Sequence, residues 1–339
     1  MMLSSQSYFQ FTPDLLICRL LNGLWQVSGA HGAIDSRKAI PEMLDYHQDG
    51  FITWDLADHY GPAEEFIGQF RKALGDHFGV AALERSQAFT KWVPQPAPIT
   101  PVMVENAINR SRQRMGVESL DLVQFHWWEY RFPGYLEALD QMNTLRKRGW
   151  IKHLALTNFD TSHLQEIVEH GIPIVSNQVQ FSIIDRRPEA LMIPYCQTQK
   201  ITLLTYGTLC GGLLSERYWQ ASEPRPDQLN TASLRKYKNM IDAWGGWNLF
   251  QELLTVLKRL ADRYGVSIAN IATRYILDKP QVAGVIIGTR LGIQEHRQDN
   301  ARVFSFTLSA DDLAQIHQIT AHSRDLMRRI GDCGDEYRR

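Results

Sequence analysis

Short apolar runs alternating with helical segments predict an α/β fold, a (β/α)8 barrel with all eight strands parallel. Three features of the 339-residue chain carry this. The apolar runs are brief and unbroken, as strands buried on both faces are. Nearly every run is followed by a stretch whose apolar residues recur with helical period. The alternation extends over about 300 residues, and such barrels typically run ~250 residues plus insertions.

The first run, 16–27, ends in Gly23-Leu24-Trp25-Gln26-Val27. A glycine-rich loop, 28–34, leads to a helix opening at Asp35 or Ser36 and closing at Gly50, with Pro41 marking a late start or a kink. Residues 51–54 form the second strand; the loop from Asp55 to Gly61 and a helix over 62–74, with Pro62 first, follow. Residues 88–91 read as the next strand end. Thr100 caps a helix whose Met103, Ala107, Ile108, Ser111 and Met115 share one face. The strand 121–126 precedes a helix striped by Leu136, Leu139, Met142 and Leu145 that stops at Gly149. Strands over 151–156, 174–178 and 201–206 alternate with helices over 160–171 and 188–196.

After Tyr206 the rhythm breaks for a long insertion behind strand seven, 207–247, with one surface helix near 231–243. A lid role is one reading of 217–247, and the Trp244-Gly245-Gly246-Trp247 turn reads as structural. Helical periodicity returns from Phe250 to Tyr264, and Ser267 caps another helix that must stop before Pro280. The eighth strand covers 282–287, and Ser309 with Asp312 forms a capping box for the last helix of a C-terminal helical tail. One domain over 1–339 is expected, with its core at about 16–320.

Charge is balanced, with Lys+Arg 36 against Asp+Glu 37, which implies neither nucleic acid nor a membrane surface as partner. No run of about 18 apolar residues suggests a span. The N-terminal residues show no signal peptide, and Cys18, Cys196, Cys210 and Cys333 are scattered, as reduced cytoplasmic thiols are. His31, His47, His59 and His126 lack paired-ligand spacing, so no metal is expected.

Catalytic residues of a barrel lie at the C-terminal ends of its strands. Those ends are Trp25, Asp55, Lys91, His126, Asn158, Gln178, Tyr206 and the Gly288-Thr289-Arg290 turn. A tyrosine donates a proton near neutrality if a cation lowers its pKa from about 10. Tyr60 would be that acid and Lys91 the cation. Asp55 would hold Lys91, and His126 would orient a substrate oxygen.

Asp55-Leu56-Ala57-Asp58-His59-Tyr60-Gly61 resembles the Asp-x-Ala-x-x-Tyr-Gly signature of the aldo-keto reductases. Lys91 in Phe89-Thr90-Lys91-Trp92 and His126 in Gln124-Phe125-His126-Trp127 are similar to that family's strand-end lysine and histidine. The resemblance implies nicotinamide-carboxamide contacts at Asn158 and Gln178, and a ring-stacking tyrosine at Tyr206. It also implies a pyrophosphate-side loop at Gly207, Leu209 and Gly211, and an adenosine site at Gly288, Thr289, Arg290, Asp299 and Asn300. No G-x-G-x-x-G occurs, consistent with cofactor binding on a barrel.

The register from Arg290 to Asn300 is two residues longer than the family's common form. Arg290 reads as a 2′-phosphate ligand with His296 or Arg297 as helpers, which points to NADPH (NADP) over NADH. Trp25, Trp92 and Trp127 read as walls of an apolar substrate pocket, while Trp128 and Tyr130 fit either wall or barrel cap.

The implied activity is NAD(P)H-dependent reduction of a small aldehyde or ketone, in which Tyr60 and His126 together polarise the carbonyl oxygen. Two alternatives share the scaffold: a cofactor-sensing binding module like the potassium-channel β subunits, and an alcohol or sugar dehydrogenase.

Overall fold

The computed structural model describes residues 3–29, 34–95 and 97–338. Part of the glycine-rich loop, with His31, lies outside the described residues. The chain opens with an antiparallel hairpin, β1 (Tyr8–Thr12) and β2 (Leu15–Cys18). Eight parallel strands then close into a barrel: β3 (Leu20–Gly23), β4 (Thr53–Asp55), β5 (Gln87–Trp92), β6 (Leu120–Phe125), β7 (Ile151–Thr157), β8 (Ile174–Gln180), β9 (Thr202–Tyr206) and β10 (Val282–Gly288), with β10 pairing back onto β3.

The run 16–27, expected as one strand, is therefore two short ones broken at Arg19. Arg19 hydrogen-bonds the carbonyls of Leu277, Val282 and Ala283 at the bottom of the barrel. The hairpin closes that end, since Phe11, Leu15 and Ile17 join Leu21, Phe89, Leu122, Ala155 and Leu204 in one apolar cluster.

The outer layer consists of α1 (Ser36–Gln48), α2 (Ala63–Phe78), α3 (Val80–Arg85), α4 (Pro101–Met115), α5 (Tyr135–Lys147), α6 (Thr161–Glu169), α7 (Met192–Gln199), α8 (Ala232–Trp244), α9 (Trp247–Tyr264) and α10 (Ile268–Leu277). The short α11 (Arg297–Ala301) precedes a tail of α12 (Ala310–Thr320) and α13 (Leu326–Ile330). Side chains of Asp35, Thr100, Asp160, Ser267 and Ser309 accept hydrogen bonds from first-turn amides. Pro41 neither delays nor breaks α1. It sits in the second turn, so its missing N–H removes a single helical bond.

Helix α8 is more than a surface helix. Tyr237, Lys238, Met240, Ile241 and Trp244 are all buried, which binds the insertion to the barrel top. No helix among the described residues is long and apolar enough to cross a membrane.

Two features of the sheet set up the site. Along β5 and β6 side chains alternate, so Phe89 and Leu122 face the interior cluster while Val123 and Phe125 face the helices. In β8 the pairing with β7 shifts: Leu154 meets Ile174, yet Leu156 meets Asn177. That one extra residue is a bulge, and it turns Gln178 rather than Asn177 toward the barrel interior.

Gly68 of α2 packs where a Cβ would stand 2.3 Å from the carbonyl oxygen of Arg114 in α4. Gly68→Ala should therefore destabilise the protein by about 1–3 kcal/mol despite alanine's better helix propensity. Denaturant midpoints of the two proteins check this; a more stable variant would mean the helices separate freely.

Candidate active site

The mouth of the barrel is organised on a buried carboxylate. Asp55 ends β4 and is 3% exposed, and Lys91 of β5 is 4% exposed. Lys91 Nζ lies 2.6 Å from Asp55 Oδ1 and donates a second hydrogen bond to the Leu56 carbonyl at 3.0 Å. The other Asp55 oxygen accepts from Gln124 Nε2 at 2.9 Å and Gln178 Nε2 at 2.7 Å. Gln178 Nε2 also reaches Gln124 Oε1 at 2.6 Å, so its two hydrogens are spent inside this network. Its Oε1 is the group left for a ligand amide. Gln124 was not singled out from the sequence; its placement two residues before His126 on an alternating strand is the signal that could have found it.

Tyr60 follows on a short turn, its ring 4.9 Å from that of Trp25 in an edge-on contact and 4.8 Å from His59. Lys91 Nζ lies 5.2 Å from the centre of the Tyr60 ring. The expectation that Lys91 brings the Tyr60 pKa down is not met. Burial, and then the Asp55 carboxylate, push it well above the ordinary tyrosine value. Both outweigh the nearby Lys91 ammonium, which is itself held by Asp55, so the phenol remains protonated.

His126 is 3% exposed and burial lowers its pKa to about 4, so the ring is neutral near pH 7. Its Nδ1 lies 3.1 Å from the Thr157 carbonyl, which only accepts, so Nδ1 carries the proton. Nε2 is then a bare lone pair, buried and without a protein partner. Neutral His126 can accept a hydrogen bond but cannot donate one to a carbonyl. The expected joint polarisation by Tyr60 and His126 is corrected accordingly.

Of the three tryptophans expected to wall the pocket, Trp25 lies beside Tyr60, its ring edge-on at 4.9 Å. Lys91 and His126 point inward, so their neighbours Trp92 and Trp127 point outward. Trp92 packs on Phe125 at 5.4 Å, and Trp127 on Phe125 at 5.8 Å, with its Nε1 bonded to the Phe132 carbonyl. Both belong to the layer between sheet and helices. Trp128 lies against His126, its ring 4.4 Å away, with a buried Nε1 that has no protein partner. Tyr130 stacks on His163 at 3.5 Å, on the α6 side.

The residues matched to cofactor contacts divide. Asn158 sits at a left-handed φ of 59° just past β7, and its Oδ1 accepts from the Tyr206 hydroxyl at 2.7 Å. Gly207 and Gly211 both have positive φ, and a Cβ at either would press on Tyr237 of α8. Their small size thus admits α8 as the nearest neighbour; Leu209 lies between them. Gly288 leaves room for Gln26, and Thr289 Oγ1 donates to the Gly23 carbonyl at 2.9 Å. Asp299 accepts from Ser267 Oγ at 2.8 Å and so braces the start of α10, while Asn300 N bonds the His296 carbonyl.

Arg290 is exposed. Arg297, expected as its helper, is bound by Asp49 at 3.0 Å, Glu295 at 3.0 Å and Asp45 at 3.6 Å. It has no free charge for a phosphate, which corrects that assignment. Among the described residues no cluster of three or more potential metal ligands occurs.

Comparison with known proteins identifies the family and agrees with the fold. A model of the aldo/keto reductase family matches residues 19–321. The NADH-specific methylglyoxal reductase of Escherichia coli is 23% identical over 325 residues, covering 91% of this chain and 96% of that protein. The aldo-keto reductase YhdN of Bacillus subtilis is 25% identical over 304 residues, covering 88% of each. The solved glycerol dehydrogenase of Gluconobacter oxydans superposes with a TM-score of 0.76 at 20% identity, over 97% of this chain and 98% of that one. With the family model matching nearly the whole barrel, the chain belongs to the aldo/keto reductase family.

Proposed function

We propose that this oxidoreductase reduces a small aldehyde or ketone with a nicotinamide cofactor, and that Tyr60 is the proton donor. The observation that carries the reading is the buried Asp55–Lys91 pair beside a protonated Tyr60, with the bare Nε2 of His126 directed at the same mouth. The cofactor, when bound, supplies the hydride. Asn158, Gln178 and Tyr206 would hold its nicotinamide end, and the free Oε1 of Gln178 suits a carboxamide N–H.

Tyr60 gives its proton as negative charge develops on the carbonyl oxygen. A raised phenol pKa does not prevent this, because an alkoxide is a far stronger base than tyrosinate. Lys91 stabilises the anion left on Tyr60, and Asp55 fixes Lys91 in place. The bare Nε2 of His126 is an acceptor for a second hydroxyl of the substrate and leaves the reacting oxygen to Tyr60.

That acceptor geometry suits a polyol or sugar, whose second hydroxyl donates to His126 Nε2 while Tyr60 exchanges the proton of the reacting oxygen. It is the one observation favouring an alcohol dehydrogenase as the second reading. For cofactor choice, we infer that NADH is accepted at least as well as NADPH. Arg297 is neutralised by three carboxylates, and the Gly292 amide is bonded by a fourth, Glu42. Arg290 is the remaining cation of the expected 2′-phosphate set. The ratio of kcat/KM for the two cofactors tests this; a hundredfold preference for NADPH would overturn it.

Tyr60→Phe should reduce kcat by about 10²–10⁴-fold, the range of general acid catalysis, with cofactor affinity nearly unchanged. Turnover is followed by loss of nicotinamide absorbance on a panel of aldehydes, ketones and sugars. Survival of turnover with the best substrate would remove Tyr60 from the mechanism.

The buried histidines predict acid sensitivity. His126 and His47 are both lowered to about 4, chiefly by burial, against about 6.5 in the unfolded chain. Between those values the unfolded state binds more protons, so stability is greatest above pH 6.5 and falls as pH drops toward 4. His126→Gln should flatten this part of the denaturant-midpoint profile. An unaltered slope would show that His126 is not held neutral.

A further inference from the structure

The last residues of the chain return to the barrel mouth. A 3-10 turn, Asp335–Tyr337, lies against Tyr206 and His126, and the residues flanking it, Gly334 and Arg338, lie against Asn158 and Trp127. Several independent contacts hold it there. Arg187 is fixed by Asp185 through Nε and one terminal nitrogen, each at 2.8 Å. Its other terminal nitrogen donates to the Asp332 carbonyl at 2.9 Å and to Glu336 Oε2 at 3.0 Å. Arg338 donates to the Trp127 carbonyl at 2.7 Å and covers the Tyr130 ring at 4.0 Å. Gly334, at φ 86°, comes so close to Asn158 that a Cβ would lie 2.0 Å from its carbonyl oxygen.

Within this segment the hydrogen count fixes a direction. Asn158 Oδ1 only accepts, so it takes the single hydroxyl hydrogen of Tyr206, 2.7 Å away. The Tyr206 oxygen is then an acceptor, with the Tyr337 hydroxyl 3.1 Å from it and Glu336 Oε1 further off at 3.4 Å. Tyr337 in turn accepts from Lys236 of α8, whose ammonium can only donate. The chain runs Lys236 to Tyr337 to Tyr206 to Asn158. Its end state turns the Asn158 carbonyl toward Tyr206 and leaves Nδ2 as the group for a ligand.

We propose that the C-terminal segment is a working part of the site and that Tyr337 is a positioning residue. Held by Lys236, it sets the Tyr206 hydroxyl and hence the Asn158 amide to donate to the carboxamide oxygen of a bound nicotinamide. This rests on the nicotinamide reading above. It ties the insertion helix, the chain end and the cofactor edge into one hydrogen-bonded unit.

The test uses the full chain, with Tyr337→Phe, Lys236→Met and the double variant. Kd for NADH and NADPH is read from nicotinamide fluorescence, alongside KM, kcat and Tm. Either single change should weaken cofactor binding about tenfold, the equivalent of one hydrogen bond of ~1.4 kcal/mol. KM for the cofactor should rise by more than kcat falls, and the double variant should be no worse than the poorer single one, because both break the same chain. Unchanged Kd in Tyr337→Phe, or additive losses that follow Tm, would overturn the proposal. Tighter binding in that variant would also overturn it, since the segment would then be a competitor of the cofactor. Wild-type protein that binds neither nucleotide would instead defeat the nicotinamide reading itself.

Discussion

The structure depends on a buried charge pair at the mouth of the barrel. Asp55 and Lys91 are both almost wholly removed from water, and such a pair is stable only if its remaining valences are filled. They are filled by Leu56, Gln124 and Gln178, which places residues of β4, β5, β6 and β8 in a single hydrogen-bonded network. Removing either charged partner would strand the other, a change worth about 3–5 kcal/mol in comparable buried pairs. The pair thus holds the strand ends together and fixes the surroundings of Tyr60. Its consequence for chemistry is less obvious. Burial and the Asp55 carboxylate outweigh the lysine at the neighbouring phenol, so Tyr60 is kept protonated.

Strand parity decides which neighbours of that network can take part. Lys91 and His126 face inward, and this alone sends Trp92 and Trp127 into the packing between sheet and helices. Trp128, beyond the end of β6, is released from the alternation and turns back over His126. The bulge in β8 works in the opposite sense, since without the extra residue Asn177 would face the interior and Gln178 the helices. Asn177 instead bonds the Phe159 carbonyl in the outer layer.

Above the barrel, the insertion after strand seven and the chain end converge on the same edge. Tyr237 fills the space left by Gly207 and Gly211, and Lys236, one residue earlier on α8, bonds Tyr337. The ion cluster of Asp185, Arg187 and Glu336 is almost fully buried, so the segment is docked by charge as well as by packing.

Much of this was legible in the sequence. Alternating apolar runs determined the barrel, because strands buried on both faces cannot carry polar residues outside special positions. Ser267, Ser309, Thr100 and Asp160 marked helix starts through local capping chemistry that needs no tertiary context. Asp55, Lys91 and His126 stand out as strand-end residues of the right chemical kinds, and Tyr60 as the tyrosine on the loop that follows Asp55. Tertiary structure decided what local rules cannot encode. Whether a tryptophan next to an inward lysine walls a pocket depends on which parity the strand adopts. Which nitrogen of His126 carries its proton depends on Thr157, thirty-one residues away. Whether Arg297 is free for a phosphate depends on carboxylates of α1 and the turn after it. The place of Tyr337 at the barrel mouth depends on Arg187 and Lys236, contacts made across more than a hundred residues of chain. The sequence by itself determined the scaffold and the candidate site residues; the packing of distant segments decided their protonation, orientation and surroundings.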